Sequence, residues 1–158
     1  MIYINIGSNL NSLKGNRFYN LKKSIELIKF KRIKIIKVSN IYETPSYPDI
    51  KKPKFLNICL GIESKEKPEA LIKIFKAIEK KLQRSRGVKN QPRTCDIDII
   101  DYCGKIINLD NVTSPHPRAH LRTFVLFPLR EISPKWVHPI LNKKIDFLIK
   151  KLNFKLRN

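Results

Sequence analysis

"QPRTCDIDII" (residues 91–100) is an apolar, β-branched run that carries two carboxylates, Asp96 and Asp98, one residue apart. In a strand, alternate side chains share a face, so Ile97 and Ile99 point one way and both acids point the other. Two like charges side by side repel unless water or a cation lies between them. Such a strand belongs at a sheet edge with its acidic face in solvent, or at a site that holds a cation.

Working outward from this strand, the chain alternates in element type. "IYINIG" (2–7) alternates as a strand and "GSN" breaks it. From Asn16 to about Phe30, Phe18, Leu21, Ile25 and Ile28 recur at the spacing of a core-facing helix. "RIKIIKVSNIYET" (32–44) reads as a strand ending at Thr44-Pro45. "FLNICLGIE" (55–63), with Leu56, Ile58, Leu60 and Ile62 on one face, reads as its antiparallel partner. Pro68 opens a second helix whose stripe is Leu71, Ile74, Phe75, Ile78 and Leu82. "TCDIDIIDY" (94–102) is then a strand and "KIINL" (105–109) a short partner. A further short element at 124–129 leads to a last helix around 145–152. The order β-α-β-β-α-β predicts an α+β, ferredoxin-like antiparallel sheet with helices on one face and additional short elements. One domain over 1–158 is expected.

Composition narrows the class. With 42% hydrophobic and 29% charged residues the chain reads as globular rather than disordered. No signal peptide or membrane span is apparent, which predicts a cytoplasmic protein. Cys59, Cys95 and Cys103 are odd in number and lack C-x-x-C pairing, so they read as buried thiols rather than a disulfide framework or zinc site. The net charge of +20, from 33 Lys and Arg against 13 Asp and Glu, fits a polyanion partner. It also fits compositional drift toward Lys on a solvated surface, and composition leaves both open.

The chemistry lies in what flanks the acids. Upstream, "RSRGVKNQPR" supplies Arg84, Arg86, Lys89 and Arg93; downstream, "HPRAHLR" supplies His116, Arg118 and Arg122. Each basic loop alone reads as a solvated charge run. Together with the acids they suit a metal–polyphosphate site, because Mg²⁺ binds through one or two carboxylates plus substrate phosphates, and Arg clamps phosphate oxygens.

Four blocks in order carry a resemblance: "YINIGSNL" (3–10), "YETPSYP" with "FLN" (42–57), "PRTCDIDII" (92–100) and "PHPRAHLRTFVLFPLREISP" (115–134). Over essentially its whole length the chain resembles the 6-hydroxymethyl-7,8-dihydropterin pyrophosphokinase family of folate biosynthesis. The resemblance implies transfer of pyrophosphate from MgATP to the hydroxymethyl group of a reduced pterin, with release of AMP. It implies Asp96 and Asp98 as magnesium ligands and Arg84 and Arg93 as catalytic partners of those acids. Arg84, Arg86, Arg93, Thr113, His116 and Arg122 would bind ATP. Thr44, Pro45, Tyr47, Phe55, Asn57 and Phe124 would bind the pterin, with Phe55 and Phe124 stacking on its ring; without the resemblance those two read as core residues. No general base is assigned. Asn90 and Gln91 stand where the family often has Trp-Gly. The expected partners are the two small-molecule substrates, with no membrane and a monomeric chain. Loops 45–54 and 84–93 are expected to act as lids that order on binding.

One reading from a different class competes, a basic RNA-binding module on the same ferredoxin-like sheet. It lacks the aromatic signature such a module carries on a central strand, and "CDIDII" would repel phosphate there. A zinc site at His116 and His120 needs a helix that Pro115 and Pro117 disfavour.

Overall fold

Strand β1 (Ile2–Ser8) pairs antiparallel with two neighbours, which places it in the middle of the sheet. These are β4 (Phe55–Glu63) and β5 (Asp96–Tyr102). The computed structural model describes residues 1–46, 49–84 and 91–155, the last three by backbone alone. Along the outer side of β4 run β2 (Lys34–Val38) and β3 (Tyr42–Thr44), both antiparallel to it. The single strand expected over 32–44 is therefore two. At the break, Ser39 keeps the ladder intact, since its N–H donates to the Cys59 carbonyl at 3.0 Å and its hydroxyl accepts from the Cys59 N–H at 3.0 Å. The sheet order β2-β4-β1-β5 gives the antiparallel α+β arrangement that the element order implies, with β5 at an edge.

Helices α1 (Arg17–Phe30) and α2 (Pro68–Lys81) cover one face. Asn16 caps α1, its side chain accepting from the Tyr19 N–H at 3.0 Å, and Pro68 opens α2 in its first turn. Beneath them Ile4, Ile6, Leu60, Ile97 and Ile99 pack with Leu21, Ile28 and Phe75. Phe18 departs from the expected stripe: in the first turn of α1 it is 54% exposed.

The opposite face is not open, as helices on one face alone would leave it. Helices α3 (Thr123–Ile132) and α4 (Ile145–Lys155) pack Leu126, Leu129, Ile145 and Leu148 against Cys59 and Ile100. The short element expected at 124–129 is α3. Lys37 helps dock it, donating to the Ile132 carbonyl at 2.8 Å, where a cation complements the helix C-terminus. The segment read as a partner for the acidic strand forms a separate hairpin instead, β6 (Ile107–Leu109) with β7 (Val112–Ser114). Among the described residues no helix is long and apolar enough to cross a membrane.

A register shift decides how β5 serves both cores. Asp98 faces Asn5 and Ile99 faces Ile4, but Asp101 faces Tyr3, so Ile100 is the extra residue of a bulge. Past it, Ile100 packs in the second core, and Asp101, 3% exposed, accepts from Trp136 Nε1 at 2.7 Å and the Gly104 N–H at 2.6 Å. Gly104 (φ 71°) and Cys103 (φ 56°) turn the chain there. This leaves Cys103 exposed, not buried as Cys59 and Cys95 are. The rest of this sheet face carries Asn5, Gly7, Asn57, Asp96 and Asp98, and the site is built on it.

Replacing Trp136 with Phe keeps the ring but removes a donor to buried Asp101. It should cost about 1–3 kcal/mol in urea unfolding, whereas an unchanged midpoint would mean that this hydrogen bond does not stabilise the fold.

Candidate functional site

On β5, Asp96 stands opposite Gly7 and Asp98 opposite Asn5. Neither acid is left alone. Asp96 takes Arg84 at 2.7 Å and Arg93 at 2.5 Å, and Asp98 lies 3.7 Å from Arg122. Arg84 also pairs with Glu79 of α2, a residue outside the sequence reading. Glu79 is 7% exposed and accepts the Ile97 backbone N–H at 2.8 Å, so it pins α2 to β5 and holds Arg84 beside Asp96. Desolvation raises its carboxyl above the usual range, while the Ile97 N–H and Arg84 oppose the shift. Its spacing from Phe75 and Leu82 was a readable signal, since it puts an acid on the core face of a helix.

Asp98 is also held above the usual carboxylate range, first by the protein that displaces water around it and then by the Asp96 charge. With 38% of its side chain exposed, it remains open to a ligand. Among the described residues no three metal-binding side chains cluster. Two crowded carboxylates nevertheless fit a dication that takes its remaining oxygens from water and phosphate.

Asp98 also lines a cavity of about 250 Å³ with Ile72, Asn111, Thr113 and His116. The His116 backbone N–H donates to the Ile100 carbonyl at 2.9 Å, fixing this loop to β5. His116 Nδ1 accepts the Arg118 N–H at 3.1 Å, so the neutral ring carries its proton on Nε2. Nε2 lies 3.4 Å from Arg122 Nη1. Two donors thus face each other with no acceptor between them, the arrangement that an anionic oxygen would complete. Desolvation, then the Arg122 and Arg118 charges, push the His116 pKa down to about 4.

The second half of the site lies at β3 and β4. Asn57, 2% exposed, donates to Thr44 Oγ1 at 3.0 Å and accepts from Asn5 Nδ2 at 3.4 Å. A Cβ at Gly7 would stand 3.2 Å from Asn57 Oδ1 and 3.5 Å from the Phe55 ring, so glycine keeps this corner open. Phe55 and Phe124 are both partly exposed. The Arg122 guanidinium lies 5.4 Å from the Phe124 ring centroid, which links the two halves. Pro45 is exposed beside Thr44. Tyr47 and Arg86 lie outside the described residues, as does most of the 84–93 loop.

Asn9 joins the bases of both loops and was also missed. Its Oδ1 accepts the Arg93 N–H at 2.7 Å, and its Nδ2 donates to the Pro53 carbonyl at 3.1 Å and to Ser46 Oγ at 3.2 Å.

A family model described as 7,8-dihydro-6-hydroxymethylpterin-pyrophosphokinase matches residues 3–134. A 2-amino-4-hydroxy-6-hydroxymethyldihydropteridine pyrophosphokinase of Aquifex aeolicus is 33% identical over 144 residues, 91% of this chain and 87% of that protein. A folic acid synthesis protein of Pneumocystis carinii is 37% identical over 151 residues, 96% of this chain. The chain spans only 20% of that longer relative. A crystal structure of Plasmodium falciparum HPPK-DHPS with pteroate superposes with a TM-score of 0.74 at 18% identity, covering 95% of this chain and 42% of that one.

Because His116 loses its proton near pH 4 in the fold and near 6.5 unfolded, the unfolded chain binds more protons between those values. Its contribution to stability is therefore present above pH 6.5 and lost as pH falls through 4. A ring-proton NMR titration should place the His116 midpoint near 4, and a midpoint at 6.5 would contradict the enclosure described here.

Proposed function

The chain belongs to the 7,8-dihydro-6-hydroxymethylpterin-pyrophosphokinase family, and from that premise we propose that it transfers pyrophosphate from ATP to 6-hydroxymethyl-7,8-dihydropterin, in folate synthesis. The hydroxymethyl oxygen attacks the β-phosphorus, the bond from that phosphorus to the α,β-bridging oxygen breaks, and AMP leaves. The hydroxyl proton passes to phosphate oxygen or water, since phosphoryl transfer rests mainly on positioning and charge stabilisation.

The observation that supports this reading best is the convergence of Asp96 and Asp98 with Arg84, Arg93 and Arg122 between a cavity and an amide-lined corner. Asp96 and Asp98 would hold Mg²⁺, which when bound neutralises charge on the polyphosphate. Arg84 and Arg93, now on Asp96, would turn to phosphate oxygens, and Arg86 would join them. Arg122 and His116 Nε2–H offer the paired donors that a phosphate oxygen completes, with Thr113 on the same cavity wall. Across the site Asn57 presents an amide that both donates and accepts, suited to a pterin edge, with Thr44 and Pro45 beside it and Tyr47 on the adjoining loop. Phe55 and Phe124 would take the faces of the ring. All of these residues come from one chain, so a monomer suffices, and the cytoplasm supplies ATP and Mg²⁺. A nucleic-acid partner draws support from the +20 charge alone.

The test is AMP formation from ATP that requires the reduced hydroxymethylpterin. Asp98→Ala should lower kcat by roughly 100-fold or more, with the melting temperature little changed because the substitution removes a like charge from a crowded face. AMP formation independent of pterin, or an Asp98→Ala chain of undiminished rate, would refute the proposal.

A further inference from the structure

Asn5 occupies the one stretch of sheet face common to both halves of the site. It lies on β1 directly opposite Asp98 of β5 and Cys59 of β4, and it is 5% exposed. Its Nδ2 donates to Asn57 Oδ1 at 3.4 Å. Its own Oδ1 is buried with no hydrogen-bond partner among the described residues. Leaving a buried amide oxygen unpaired costs about 1–3 kcal/mol. An apolar side chain would avoid that cost, as Ile4 and Ile6 do on the other face of the same strand. A buried polar atom without a protein partner is one that a water or a bound group can complete.

Asn57 shows what the other end of the amide does. Its Nδ2 donates to Thr44 Oγ1 at 3.0 Å, but a hydroxyl can donate as readily as accept. Thr44 alone therefore does not fix which end of the Asn57 amide faces which way. The N–H from Asn5 does, because it demands oxygen at that end.

We infer that Asn5 is a positioning residue that joins the cation site to the pterin corner: its Nδ2–H orients the Asn57 amide, and its Oδ1 accepts from a water held by the cation at Asp96 and Asp98. The inference rests on the function proposed above. It makes the two sites share one buried amide, so that one end of the Asn5 side chain takes a cation-bound water and the other orients the Asn57 amide that would meet the pterin.

Two substitutions separate this role from mere packing. Asn5→Leu keeps the volume and removes both ends. Asn5→Asp keeps an acceptor oxygen on the residue paired with Asp98, adds a third carboxylate and loses the donor to Asn57. Pterin affinity is read by fluorescence titration without nucleotide or metal, and cation affinity by Mn²⁺ paramagnetic resonance in the presence of a non-hydrolysable ATP analogue. Asn5→Leu should weaken pterin about tenfold and Mn²⁺ several-fold. Asn5→Asp should weaken pterin similarly while tightening Mn²⁺. Urea unfolding checks that each variant is folded; should Asn5→Asp fail to fold, Asn5→Leu decides alone. Unchanged affinity for either ligand in Asn5→Leu, or parallel loss of both in a folded Asn5→Asp, overturns the inference. A wild-type chain that binds neither pterin nor Mn²⁺ overturns the functional reading beneath it, which the variants alone cannot do.

Discussion

The structure is organised around two carboxylates on one face of an edge strand and the three guanidinium groups that meet them. Asp96 and Asp98 would repel each other on a bare strand, and here Arg84 and Arg93 sit on the first and Arg122 beside the second. Each arginine is placed by a different part of the chain. Arg84 is held by Glu79 of α2, Arg93 by the Asn9 side chain at the end of β1, and Arg122 by the turn that enters α3. Without ligand the acids act as counter-ions that keep five charges in a small volume. On the proposed function, an incoming polyphosphate with a dication would offer each group a new partner, arginine to phosphate and carboxylate to metal. The charge cluster would then be a site already assembled, with its charges paired among themselves.

The sheet's second face makes room for that cluster by dividing its length. At one end Tyr3, Cys59, Ile100 and Asp101 belong to the core under α3 and α4, and at the other Asn5, Gly7 and Asn57 carry polar groups or none. The bulge at Ile100 makes the division, since it turns two consecutive residues of β5 toward the helices just after Asp98. Asp101, only three residues from Asp98, thereby becomes a buried partner of Trp136 instead of a third acid in the site.

Much of this was legible in the sequence where a short-range period governed the outcome. Ile97 and Ile99 against Asp96 and Asp98 follow the period of two because β5 is regular there, and the rule stops after Ile100, where the bulge turns Asp101 to the same face and leaves no trace in hydrophobicity. Of the helices on the second face, α4 was expected as a last helix but α3 only as a short element, and the placement of both on that face was not foreseen, although Cys59 and Gly61 between apolar neighbours in "FLNICLGIE" fit a strand buried on both sides. Glu79, Asn9 and Asn5 escaped for another reason. Their roles depend on groups that folding brings from 18, 84 and 52 residues away, and no local pattern encodes such a partner. The ligand assignments for Asp96, Asp98, Arg84, Arg93, His116 and Arg122 came from flanking basic loops and from family resemblance. The structure brings these residues together.

On the proposed function, acids and arginines neutralise each other until ATP and a dication separate them. This exchange is tested most directly by the affinity of an Asp96→Ala chain for a non-hydrolysable ATP analogue, measured calorimetrically in chelator and again in Mg²⁺. Removing Asp96 frees Arg93 and leaves Arg84 on Glu79 alone, so binding in chelator should tighten by about three- to tenfold, while the gain on adding Mg²⁺ should shrink. Weaker binding than wild type in chelator would contradict the account, because it would mean that Asp96 serves nucleotide binding before any cation arrives.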